Sequence, residues 1–316
     1  MEVSVVLCTY NPKPKYLSRV LNSLANQTLP TNRWELIIVD NNSQNNFYEE
    51  ISLESFPNKK MIQVSKQGLI YARIAGTAEA STLNIVTVDD DTILEANYLE
   101  EALRIFESHK DIGIFGGRSV GEFEKTPPDW VKEYHTILCI KDLGENTIIS
   151  KLDNDERLNT YPPNGPFLIL YRKDIFESIF IPHFNANKIS KTLGRKGTSL
   201  SSGEDNDIVM AIYAAKFQVG YFPQLKFTHI IPSFRIEAKY LAKLVHNSNK
   251  TWVQVLALHG IFPWKKISKL GAIVRGFRAY FLLNAWKNDN NYIKWKGACG
   301  NFEARSILNN THTLTK

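Results

Sequence analysis

Leu83–Leu103, LNIVTVDDDTILEANYLEEAL, sets three consecutive carboxylates at the end of a hydrophobic run. NIVTVDDD reads as a strand that ends in acid. Asp89, Asp90 and Asp91 each raise the cost of ionising the others, and like charges this close repel by kilocalories unless something positive lies between them. A hard divalent cation such as Mg2+ or Mn2+ takes oxygen ligands and keeps positions open for phosphates, so one or two carboxylates at a strand end suit a nucleotide diphosphate site. In an extended strand end Asp89 and Asp91 point to one side and Asp90 to the other, which makes the outer pair the cooperating one. A solvated acidic turn that caps the next helix is the alternative.

Upstream of this stretch the chain alternates strand-like and helix-like segments, the pattern of a parallel sheet covered by helices. VSVVLCTYN ends at the turn signal Asn11-Pro12, and Leu17, Val20, Leu21 and Leu24 follow at helical spacing. WELIIVDNNS is a second strand, KKMIQVSKQG a third, and LIYARIAGTAEA a helix. Three strand ends therefore carry polar groups, at Thr9-Tyr10, Asp40 and Asp89. Ligands of open parallel sheets bind beyond the carboxyl ends of the strands, so these groups should share one crevice.

Downstream, residues 122–164 are irregular and rich in Pro, Tyr and Trp, and read as loops and short strands over the crevice. FLILYRKDIF is another buried strand leading into a helix or turn. Residues 183–203 turn polar and rich in Gly, Ser and Lys, the composition of a mobile loop. EDNDIVMAIYAAKF then reads as a helix with Glu204 and Asp205 in its first turn, and VGYFPQLKFTHIIP as a strand. After Pro232 the chain is helical and basic. Tyr240, Leu241, Leu244 and Val245 mark one amphipathic helix, and Trp252, Val255, Leu256 and His259 begin another.

The bulk properties fit this plan. At 316 residues and 43% hydrophobic, the chain suffices for one large α/β domain with a helical extension. Cys8, Cys139 and Cys299 lack the spacing of a zinc site or a disulfide framework and read as reduced. Lys269, Arg275 and Arg278 interrupt the best apolar run before it reaches the roughly 20 residues of a spanning helix. The N-terminus lacks the basic start and apolar core of a secretory signal, so the chain is expected in the cytoplasm.

SVVLCTYNP, ELIIVDNNS, GLIYARIAG, IVTVDDDT and GED, in that order, resemble the family 2 glycosyltransferases of the GT-A fold, from Val3 to about Pro232. The resemblance implies an α/β fold with a Rossmann-like, mostly parallel sheet flanked by helices. It implies a catalytic domain over 1–232, with a nucleotide-sugar half to about 118 and an acceptor half from about 119. Residues 233–316 are then a helical, basic, amphipathic extension.

The same resemblance implies roles. Thr9, Tyr10, Asn11 and Asp40 would cradle the nucleotide of a nucleotide-diphospho-sugar donor, a UDP-sugar being favoured. Arg73 would stand near the nucleotide or its phosphates, an exposed helix arginine being the alternative. Asp91 would bind Mn2+ or Mg2+, Asp89 would face the ribose or share the metal shell, and Asp90 would lie beside the donor. Asp205 would take the acceptor hydroxyl's proton in an inverting transfer, oriented by Glu204. Helix capping by the same acids is compatible with that role. His229 would complete the metal shell or serve as a structural histidine, and Asn164 and Gly165 would line the donor sugar pocket. Arg195 and Lys196, set between glycines before the base, suit a loop that grips phosphates. Asp207 reads as an ordinary helix acid. Gly116-Gly117 suit close approach to a sugar or a tight turn, and Trp130 suits a sugar face or the core.

The acceptor would be a saccharide or a lipid-linked saccharide. Lys265, Lys266, Lys269, Arg275 and Arg278, set among Trp264, Leu270, Ile273, Phe277 and Phe281, suit an anionic membrane surface, as on its cytoplasmic face, or a helix packed on the catalytic domain. Other classes fit less well. A nucleotidyltransferase should show a Gly-rich basic loop after the first strand, and a dinucleotide oxidoreductase a G-x-G-x-x-G; CTYNPKPKYL has neither. A binding module without catalysis would have no use for a base. Nucleic acid is not the expected partner, since nothing resembles a base-stacking motif.

Overall fold

β1 (Val3–Thr9) and β2 (Trp34–Asp40) are buried along their whole length, because helices cover both faces of the sheet they form. The computed structural model describes residues 1–153, 158–162, 164–195 and 200–308. Alternate residues of β1 serve two cores. Val3, Val5 and Leu7 pack with α1 (Pro14–Ala25) and α3 (Tyr98–Ser108), and Val6 and Cys8 with α2 (Leu69–Glu79) and α6 (Glu204–Ala214). Pro14 opens α1, where its missing N–H costs nothing, and Leu17, Val20, Leu21 and Leu24 form the buried stripe. Gly76 lets α2 close on the sheet: a Cβ there would stand 2.4 Å from Val6 Cγ1.

β3 (Lys59–Gln63), β2, β1 and β4 (Asn84–Asp89) are parallel neighbours, in that order. Beyond β4 short antiparallel strands join the sheet, which stays mostly parallel by paired residues, as expected. β8 (Leu170–Arg172) runs antiparallel to both β4 and β6 (Ile112–Phe123), and β6 pairs in parallel with the long β9 (Gln218–Ile231). β5 (Thr92–Leu94) and β7 (Ile148–Ser150) add to β9 antiparallel. After β8 the chain passes through α4 (Lys173–Ile175), a π turn and α5 (Ile181–Ala186).

Gly116 and Gly117 lie within β6, where a Cβ would meet Leu168 O at 2.5 Å and Leu225 O at 1.9 Å respectively. They serve strand packing, against the sugar contact considered from the sequence. Trp130 is half-buried, edge-on to Tyr134 in the core beneath α7 (Ala238–Leu258).

α7 is one continuous helix where two were expected, because both apolar stripes fall on a face that stays buried. Leu241, Leu244 and Val245 pack with Val131, Tyr134 and Ile231, and Val255 and Leu256 with Leu193 and Met210. α9 (Asp289–Ile307) lies on α7 so closely that a Cβ at Gly300 would stand 2.0 Å from His246 O. α8 (Lys269–Leu282) rests on α9, with Trp295 Nε1 donating to Gly276 O at 2.8 Å. Among the described residues no helix is long and apolar enough to cross a membrane.

Candidate active site

A cavity of about 530 Å3 opens beyond the carboxyl ends of β1 and β4. Thr9, Tyr10, Arg73, Asp89, Asp90, Asp91, Arg195, Glu204, Asp205 and His229, all nominated from the sequence, line it.

β4 ends at Asp89, and Asp90-Asp91 form the turn into β5. Asp89 and Asp91 both line the cavity, with different nearest partners. Asp89 Oδ1 faces Arg73 Nη2 at 3.9 Å, while Asp91 Oδ2 lies 3.1 Å from Arg235 Nη2 and 3.4 Å from His229 Nε2. Asp90 accepts from Thr9 Oγ1 at 2.5 Å, which ties the ends of β1 and β4 together. The antiparallel pairing of Thr92 with His229 and the bond from Ile230 N–H to Asp91 O bring the histidine to the turn.

The electrostatics separate the three acids. Burial and the neighbouring Asp91 push the Asp90 carboxyl up. Burial also raises Asp89, with Arg73 opposing. Burial works against Asp91 too, but His229 and Arg235 hold it well below the usual carboxylate range. The repulsion within the triplet is thus relieved by a different partner for each member.

The Asp91 and His229 donor set fits a divalent cation. His229 Nδ1 lies 2.9 Å from Leu138 O, and Arg235 Nη1, which can only donate, lies 3.1 Å from Nε2. Nδ1 therefore carries a proton bonded to the carbonyl, which fixes the ring as in metal-bound histidines, and Nε2 lies between Asp91 Oδ2 and Arg235. The Arg235 guanidinium provides the positive charge at this position.

Next to this turn, Arg73 is 1% exposed and faces three carboxylates. Nη1 donates to Asp205 Oδ1 and lies 3.3 Å from Glu204 Oε1, while Nη2 reaches toward Asp89. The alternative of an exposed helix arginine is corrected: Arg73 is buried in the cavity lining, and its guanidinium is committed to acids. Asp205, in the first turn of α6, keeps 34% of its side chain exposed and lines the cavity. Glu204 is buried, its Oε2 set where a Cβ on residue 194 would be 1.9 Å away, and burial raises its pKa.

Several nominated residues take other places. Asp40 does not line the cavity: it accepts from Ser43 N–H at 2.9 Å, Tyr48 OH at 2.6 Å and Gln63 Nε2 at 3.3 Å. Asn11, in a left-handed conformation, ties its loop to the next through Ser43 and Gln44. Asn164 bonds Ser150 Oγ, Ile148 O and Val219 O, which consumes the amide within the β7–β9 corner. Gly165 is packed against Tyr161, and its carbonyl accepts from Lys141 Nζ. Neither lines the cavity; Phe167 and Leu168 do. Lys196 lies outside the described residues.

Sequence reading missed Asn41, Phe234, Arg235 and Tyr240, all on the cavity wall. Asn41 stood in view in the DNNS turn; its Oδ1 accepts from Gly68 N–H at 2.7 Å, holding the start of α2. The other three lie beyond Pro232, so residues after the proposed end of the catalytic part complete its site. Cys8 and Cys139 also line it, both unpaired.

Asp207 is no ordinary helix acid. It is 1% exposed, and its Oδ1 lies 2.9 Å from His183 Nε2 and 2.7 Å from His259 Nε2, while Ser190 donates to Oδ2 at 2.7 Å. The two imidazoles stack with centroids 4.9 Å apart. Asn187 Nδ2, 3.4 Å from His183 Nδ1, leaves the proton on Nε2, so this contact is a hydrogen bond. These three residues also lie close enough, with ligand atoms within 4.8 Å, to share an ion.

A strand-end carboxylate turn and a half-exposed carboxylate at a helix start, facing one cavity beyond a Rossmann-like half-sheet, define a glycosyl-transferring enzyme of α/β architecture. Residues 4–180 match the profile of glycosyl transferase family 2, and the chain belongs to that family. The chain is 26% identical over 251 residues to the glucosyl-dolichyl phosphate glucuronosyltransferase of Haloferax volcanii, covering 76% of this chain and 73% of that one. It is 30% identical over 142 residues to the Staphylococcus aureus poly(ribitol-phosphate) beta-N-acetylglucosaminyltransferase TarS, covering 41% of this chain and 24% of that one. The crystal structure of TarS superposes with a TM-score of 0.53 at 18% identity over 97% of this chain, which spans about half (53%) of the TarS chain. TarS residues 1–349 have also been solved with UDP-GlcNAc, with a TM-score of 0.53 at 15% identity over 96% of this chain and 90% of that one. The fold is GT-A, and the protein is a glycosyltransferase.

Proposed function

We propose that the protein is a metal-dependent, inverting glycosyltransferase that moves a sugar from a UDP-linked donor to a hydroxyl of a saccharide or lipid-linked saccharide, in assembly of a cell-surface polysaccharide or glycolipid. It would work in the cytoplasm or on the cytoplasmic membrane face. The observation that carries this reading is the placement of Asp205 and the Asp89–Asp91 turn in the lining of one cavity, with Arg73 between Asp205 and Asp89. The TarS complexes with UDP and UDP-GlcNAc support the choice of nucleotide.

In this reading Arg73 fixes Asp205 Oδ1, leaving Oδ2 to accept the acceptor hydroxyl's proton as its oxygen attacks the anomeric carbon. The carbon–oxygen bond to the diphosphate breaks, and the electron pair leaves with the diphosphate. Arg195, on the cavity wall and near enough to lower Asp91 and Glu204, faces that growing negative charge. Glu204, buried and biased toward its neutral form, does not compete as base. Asp91 and His229 would hold Mn2+ or Mg2+, which when bound adds positive charge against the leaving diphosphate.

Calorimetric titration with UDP and with GDP, each with Mn2+ and with EDTA, tests the reading. UDP should bind tightly with Mn2+ and only weakly in EDTA. Failure of the folded protein to bind either nucleotide in either condition would overturn it.

A further inference from the structure

α8 carries its large apolar side chains on the wrong side for a soluble protein. At 100° per residue, Ala272, Gly276 and Ala279 share the face toward α9, and Ala279 is the helix's one buried residue. Leu270, Ile273, Val274, Phe277 and Phe281 share the opposite face, at i, i+3, i+4, i+7 and i+11. Leu270, Ile273 and Phe277 are 70%, 69% and 67% exposed. Exposed apolar patches of this continuity mark binding surfaces.

The charges around this face are all of one sign. Residues 261–288 hold six basic residues, Lys265, Lys266, Lys269, Arg275, Arg278 and Lys287, and no acidic one. None of the six has an acidic partner among the described residues. Arg278 and Lys269 flank the apolar face on either side, and the exposed Trp286 follows its end. Cations beside an apolar, aromatic stripe are complementary to a surface that is oily with an anionic rim.

We propose that α8 and the basic chain leading into it dock this protein, lying in the membrane plane, on an anionic lipid bilayer. The 14-residue helix, about 21 Å long at 1.5 Å per residue, is too short to span one. A second copy on the same face would oppose cations to cations across a two-fold interface, so charge favours lipid over self-association. Docking is independent of donor and acceptor identity, and it would bring the enzyme to a lipid-linked acceptor.

Sedimentation of the full chain with vesicles tests this. The protein should bind vesicles containing about one third phosphatidylglycerol at least tenfold better than pure phosphatidylcholine, and binding should fall as salt is raised several-fold above about 0.1 M. Phe277→Ser with Phe281→Ser should reduce that binding at least tenfold. Lys265→Gln with Lys266→Gln should reduce it roughly fivefold per lysine, on anionic vesicles alone. These positions are exposed, and circular dichroism should show the fold kept. UDP titration of the same variants should match the parent, which separates this proposal from that of the donor. Absence of vesicle binding by folded protein, equal binding to neutral vesicles, or a dimer in light scattering that Phe277→Ser dissociates would each overturn it.

Discussion

Arg73 and Asp205, 132 residues apart in sequence, form an ion pair that joins α2 to the first turn of α6. Since Arg73 also faces Glu204 and Asp89, one buried cation neutralises acid from the end of β4 and the start of α6. Removing it leaves carboxylates in a low-dielectric site without compensation. Arg73→Met should therefore destabilise the protein by about 3–5 kcal/mol, read from urea unfolding. Adding Glu204→Gln should recover part of that loss. Equal stability of Arg73→Met and wild type would show that the acids find other partners.

Asp205 is the member of this cluster that stays open to the cavity. Asp205→Asn should lower turnover by about 100- to 10,000-fold while UDP affinity stays within twofold of the parent. Turnover and calorimetry on the same preparation read both quantities. Loss of UDP binding would instead place Asp205 in the nucleotide site.

The Asp91–His229 pair makes a separate prediction, because the metal fit rests on its donor atoms. Asp91→Ala should abolish the dependence of UDP binding on Mn2+, leaving the weak affinity seen in EDTA. His229→Ala should weaken the cation by at least about 10- to 100-fold, the range for losing an outer-shell partner of a metal ligand. An unchanged Mn2+ titration in Asp91→Ala would exclude it as a ligand.

The strand ends were legible in the sequence because hydrophobic runs stop at polar groups at the same edge of a parallel sheet. That logic gathered Thr9, Tyr10 and Asp89 in one crevice but wrongly added Asp40, while Asp205 at the start of α6 was reached only through the family resemblance. It failed wherever position depends on distant pairing. Arg235 reaches Asp91 only because β9 pairs with β5 and the chain turns at Pro232, and no local pattern in SFRIEAKY signals this. Asn164 has the composition of a pocket residue, but its amide is spent on the β7–β9 corner. The two stripes of α7 read as two helices because the segment between them, HNSNK, is polar, yet α7 continues through it while α9 covers its side.

Asp207 shows how a residue dismissed on sequence can set a pH response. Burial alone would raise its carboxyl, but hydrogen bonds from His183, His259 and Ser190 lower it to about 2. A carboxyl with a depressed folded pKa stabilises the fold fully above its unfolded value near 3.9, and that contribution disappears as pH falls toward about 2. The shift corresponds to about 2 kcal/mol at neutral pH. Asp207→Asn should thus unfold at lower urea than wild type at pH 7 by about that much, since α5, α6 and the end of α7 meet on this one carboxylate. The gap should hold down to about pH 5 and narrow by pH 3, as wild type becomes protonated while the variant cannot respond. A gap that is constant across this range would mean that the carboxylate's charge contributes nothing, and that His183 and His259 are held by packing and stacking alone.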